Sequence, residues 1–117
     1  MTSTHSDSPT LALVRDLLFS SRITATARSL GISVKILRDP RQLEAENRAL
    51  LIVDLNHPGA IEAAAQWQQR TSGKTVGFVS HVDNVTIERA REAGIDRVLA
   101  RSAFVEQLPQ ILRGESD

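Results

Sequence analysis

The sequence predicts a three-layer α/β/α sandwich built on a parallel sheet, and three observations point to it. Five short apolar runs are spaced along the chain, each is followed by a segment of helical period, and Gly or Pro stands at several of the joins. Runs of Val, Ile, Leu and Ala without polar alternation read as strands covered on both faces, the setting of strands in a parallel sheet. Strand and helix in strict alternation give βαβ units, whose crossovers are right-handed.

The runs are Leu11 to Val14, Val34 to Leu37, Ala49 to Val53, Val76 to Val79 and Val98 to Ala100. After the first, Phe19, Ile23, Ala27 and Leu30 form one helical stripe, and Gly31 stops it. The second helical segment is brief: Asp39 can cap it, Pro40 suits its first turn, and Leu43 is its one clear anchor. The third, Ala60 to Arg70, is rich in Ala and carries Ile61, Ala64, Ala65 and Trp67, the last read as packing. In the fourth, Asn84 is the expected cap ahead of Ile87, Ala90 and Ala93, with Gly94 at the stop. The fifth has Ser102 as a cap and Phe104, Leu108, Ile111 and Leu112 as its apolar face. Pro109 inside it predicts a bend or restart near Gln107 or Leu108. A five-stranded parallel sheet in the flavodoxin-like order 2-1-3-4-5 satisfies this pattern. The expected domain is residues 10–113, with polar tails at 1–9 and 114–117.

Composition narrows the function. A chain of 117 residues, 41% hydrophobic, supports one domain with a real core. Lys and Arg number 14 against 14 Asp and Glu, so no net field draws it to nucleic acid or an anionic membrane. Cys is absent, which excludes disulfides, thiolate metal sites and a cysteine nucleophile. No stretch is apolar enough to span a bilayer and the start is not signal-like, so the expected compartment is the cytoplasm. His5, His57 and His81 lack metal spacing, and no GxGxxG, Walker or GxSxG pattern occurs.

Ligands of open parallel sheets bind at the carboxyl ends of the strands. There the sequence reads Arg15-Asp16, Arg38-Asp39, Asp54, Ser80-His81 and Arg101-Ser102. The order 2-1-3-4-5 gathers Asp16, Asp54, Ser80 and Arg101 at one edge. Paired carboxylates suit Mg²⁺, and a hydroxyl with a guanidinium suits phosphoryl oxygens. Each also has a plainer reading: Asp54 or Asp16 as a helix cap, Ser80 as a turn hydroxyl, Arg101 as a surface cation.

Asp54-Leu55-Asn56-His57-Pro58 resembles the Asp-x-x-x-Pro motif of bacterial response-regulator receiver domains. Ser80, the Glu92-Ala93-Gly94-Ile95-Asp96 segment and Arg101-Ser102-Ala103-Phe104 resemble the family's stretch from Ser/Thr to Lys-Pro-Phe. The resemblance covers residues 10 to 113. It implies a CheY-like signalling domain of a two-component system that is not an enzyme beyond its own phosphorylation. Asp54 matches the phosphoacceptor, and Ser80 and Arg101 match the switch hydroxyl and the Lys. Asp16, Asp54 and the carbonyl of Asn56 match the Mg²⁺ ligands, and no organic cofactor is implied. A sensor histidine kinase is the implied partner, and a homodimer through the fourth and fifth helices is an option.

The departures from the family pattern imply, within this resemblance, an atypical receiver. Arg15 replaces an acid and is expected to pair with Asp54, weakening or excluding Mg²⁺. Arg101 replaces Lys, Leu99 replaces the switch aromatic, and His81 replaces a small residue. Two readings result: a stand-alone receiver that takes phosphate at Asp54, and a pseudo-receiver that serves as an interaction module without phosphate. A small α/β enzyme or flavin carrier is the third and has no supporting motif. No effector segment follows residue 113, so output is expected to run through a partner protein.

Overall fold

The computed structural model describes residues 10–81 and 83–114. The tail expected at 1–9, and residues 115–117 of the tail expected at 114–117, lie outside them. Strands β1 (Thr10–Leu13), β2 (Val34–Leu37), β3 (Leu50–Asp54), β4 (Lys74–Val79) and β5 (Arg97–Ala100) form one parallel sheet, in the order β2-β1-β3-β4-β5. Helices α1 (Leu17–Ser29), α2 (Ala60–Thr71), α3 (Asn84–Glu92) and α4 (Arg101–Leu112) flank it, and a 3₁₀ helix (Pro40–Ala45) connects β2 to β3. The predicted sandwich and strand order are therefore the fold observed. Among the described residues no helix is long and apolar enough to cross a membrane.

Strand alternation sorts the core into two layers. Leu11, Leu13, Leu51 and Val53 face Leu43 of the 3₁₀ helix, Ile61, Ala64 and Trp67 of α2 and Ala90 of α3. Ala12, Val14, Ile52 and Phe78 face Phe19, Ile23 and Ala27 of α1 and Phe104, Leu108 and Ile111 of α4. The rings of Phe19, Phe78 and Phe104 lie 4.7 to 5.7 Å apart by centroid and fill the centre of the second layer.

Four local expectations are corrected. The helical segment after β2 is a single 3₁₀ element, capped as expected by Asp39, with Gln42 returning the bond to the Asp39 backbone. The cap of α3 is Asp83 rather than Asn84: its Oδ1 accepts from the amides of Val85 and Thr86. No loop separates β5 from α4, so Ala100 is the N-cap residue, and Ser102 is already inside the helix. Pro109 does not break α4, which is continuous from Arg101 to Leu112. Only one backbone bond is forfeited so close to the end, and Leu108, Ile111 and Leu112 remain buried against the sheet.

A fifth correction concerns burial. Strands β2 and β5 are not covered on both faces; Val34 and Ile36 are half-buried, Lys35 and Ala100 exposed. Each is an edge strand with one neighbour, so the helical layers reach it only in part.

Candidate functional site

The site sits where β3 and β4 end side by side. Parallel register pairs Asp54 with Phe78, and the ladder continues one step as the Leu55 amide donates to the Phe78 carbonyl at 2.9 Å. Leu55 then folds over Gly77, where an added Cβ would lie 2.7 Å from the Leu55 side chain. That close approach holds the chain after Asp54 against β4. Asp54 closes its own turn, with Oδ1 accepting from the Asn56 amide at 3.0 Å.

Asn56 joins the two strand ends. Its Oδ1 accepts from the amides of Ser80 at 2.6 Å and His81 at 3.2 Å. The Ser80 hydroxyl lies 3.2 Å from Asp54 Oδ1 and 3.3 Å from Asn56 Oδ1, so its single proton is directed into the gap between them. Asp54, Asn56 and Ser80 are half-buried, which leaves the carboxylate open to a ligand from solvent. Sequence reasoning used only the backbone carbonyl of Asn56 and missed its side chain. The available signal was an Asn two residues after a strand-end acid, a composition suited to turns that turn a side-chain amide toward a neighbouring loop.

The other predicted partners make their contacts elsewhere. Arg15 forms no ion pair with Asp54; among the described residues that carboxylate has no cationic partner. The register explains this. Leu13 pairs with Val53, so the next step sets Val14, not Arg15, beside Asp54. The Val14 amide in turn donates to the Leu37 carbonyl, and the chain leaves the sheet on the β2 side. Arg15 there lines a cavity with Arg38 and His57.

Asp16 is exposed and caps α1, its Oδ1 accepting from the Leu18 and Phe19 amides at 2.9 and 3.2 Å. Arg101 opens α4 and lays its guanidinium 4.3 Å above the Phe19 ring. A planar cation matched to a ring face has no need of the Asp54 carboxylate.

The paired-acid arrangement expected for Mg²⁺ draws no support from these contacts: Asp16 caps a helix end, and no group of three His, Asp or Glu gathers among the described residues. What the cluster offers is one accessible carboxylate with a hydroxyl and one backbone amide on it, braced by Asn56, which holds two further amides.

The electrostatics beside the site are set by Asp39. The guanidinium of Arg41 and the Arg41 amide bond its carboxylate and lower its pKa to about 2. The Thr86 hydroxyl and amide likewise hold Asp83 below the usual carboxylate range.

No protein-family model matches the sequence, and no curated protein matches it. Solved structures do. A response regulator from Burkholderia pseudomallei, solved with a phosphorylated aspartic acid, calcium ion and citrate, superposes with a TM-score of 0.75 at 18% identity. The match covers 91% of this chain and 66% of that one, so this chain spans just under two thirds of that regulator. A response regulator from Thermotoga maritima gives 0.72 at 14% identity, covering 92% and 97%. A CheY-like receiver domain protein from Methanospirillum hungatei gives 0.74 at 15%, covering 92% and 94%. The fold of this chain is that of the response-regulator receiver domain.

Proposed function

We propose that this chain is a signalling domain of the receiver type, acting through contacts with other proteins, with Asp54 as the residue that receives a phosphoryl group. The observation that carries the reading is the Ser80 hydroxyl 3.2 Å from an accessible Asp54 carboxylate that has no side-chain ion pair among the described residues. In the reaction, an Asp54 oxygen attacks the phosphorus of a phosphohistidine on a partner kinase. The P–O bond forms as the P–N bond breaks, and the imidazole nitrogen keeps the electron pair and takes a proton from solvent. The product is an aspartyl phosphate, to which the Ser80 hydroxyl then donates. Loss of its bond to the carboxylate also alters the Asn56 contacts to Ser80 and His81, which gives phosphorylation a route to the surface of the β4–α3 loop.

Incubation with acetyl phosphate, with and without Mg²⁺, is expected to add the mass of one phosphoryl group to the wild type and none to Asp54→Asn. Absence of the adduct in both conditions sinks this reading.

The second reading is a phosphate-independent interaction module. The placement of Arg101 over Phe19 and of Asp16 at the α1 N-terminus favours it, because both are then withdrawn from phosphoryl chemistry. An adduct at Asp54 decides against it.

A further inference from the structure

Beside the Asp54 cluster the same sheet edge carries a cavity of about 560 Å³, lined by Arg15, Arg38, Asp39, Pro40 and His57. Arg15 follows β1 and Arg38 follows β2, whose last residues Leu13 and Leu37 are in register. Two arginines thus line one opening. Neither has an ion-pair or side-chain hydrogen-bond partner among the described residues.

The acid on this wall does not neutralise them. Asp39 gives both of its oxygens to Arg41, at 2.9 and 3.3 Å. Asp16 is turned to the α1 amides, and neither it nor Asp54 lines the cavity. His57 adds a second anomaly. Both of its ring nitrogens are shielded from solvent and have no hydrogen-bond partner. A desolvated imidazole without a partner is costly, and like charges at neighbouring strand ends repel unless an anion lies between them. An oxyanion that accepts from the guanidinium forks answers the repulsion, in a cavity whose wall His57 completes.

We propose that this cavity binds a phosphate-type oxyanion, either free phosphate or the phosphate of a small phosphomonoester, held by Arg15 and Arg38 with His57 in the cavity wall. Binding here is non-covalent and independent of any transfer to Asp54.

The test is a titration of isotope-labelled protein with inorganic phosphate, and separately with adenosine monophosphate, at constant ionic strength. Saturable shifts are expected at Arg15, Arg38 and His57. Arg15→Gln and Arg38→Gln, both at exposed positions that leave the core untouched, should each weaken binding about tenfold or more. Arg91→Gln, on the exposed face of α3, should bind as the wild type does. Tighter binding of the nucleotide assigns the room beyond the arginines to the ester group, and equal binding assigns the site to phosphate alone. Failure to saturate, wild-type affinity in both arginine variants, or equal weakening by Arg91→Gln overturns the proposal. Inorganic phosphate does not phosphorylate an aspartate, so this outcome is separate from the acetyl phosphate result.

Discussion

Asn56 holds the two strand ends together through one oxygen, and removing it has a calculable consequence. In Asn56→Ala the amides of Ser80 and His81 lose their common acceptor. Stability is expected to fall by about 1–3 kcal/mol in chemical denaturation, chiefly the cost of the partly buried Ser80 donor left unpaired. Hydrogen exchange should quicken at Ser80 and His81 while Val79, inside β4, keeps its protection. The same scale shows where sequence reading stopped. Asp54 and Ser80 were identifiable because strand ends in a parallel sheet share an edge, whereas Asn56 entered through the family resemblance and only by its backbone carbonyl. The Arg15–Asp54 pair was not formed because side-chain direction depends on register, and adjacency along an edge does not specify which neighbour a side chain faces.

At the scale of the elements, α4 accommodates a residue that its hydrogen bonding opposes. Pro109 cannot donate to the Val105 carbonyl, yet the helix runs on to Leu112. Packing of Phe104, Leu108 and Ile111 against β4 and α1 outweighs the missing bond. Pro109→Ala should therefore raise stability by about 1–3 kcal/mol without moving the helix, read as a higher denaturation midpoint and an unchanged amide spectrum outside α4. The helix starts teach a related lesson. The cap of α3 was one residue out and that of α4 two, because Asp, Asn and Ser are comparable caps in isolation and the preceding strand decides which is free to act. Residue type marked each helix, and the length of β5 set where α4 begins.

For the whole molecule, the layer of α1, β4 and α4 depends on three rings, since Trp67 lies in the opposite layer. Phe78 is central, stacked on Phe104 at 4.7 Å and tilted against Phe19 at 4.8 Å. Phe78→Ala is expected to cost about 3–5 kcal/mol through the cavity it leaves and to loosen Arg101, whose guanidinium rests on Phe19. Calorimetry reads the first effect, and exchange of the Arg101 guanidinium protons reads the second.

Local chemistry by itself determined the order of elements, the parallel sheet and the edge on which polar groups meet, with the strand order narrowed to one of the common doubly wound solutions. These follow from periodicity, run length and the handedness of βαβ units, all properties of short segments. The tertiary structure decided which polar groups meet there. It joined Asp54 to Asn56 and Ser80, laid Arg101 on Phe19, gave Asp16 to a helix end and drew Arg15 to Arg38 and His57. Those choices rest on register and on competition for partners between segments far apart in the chain, which no local pattern encodes.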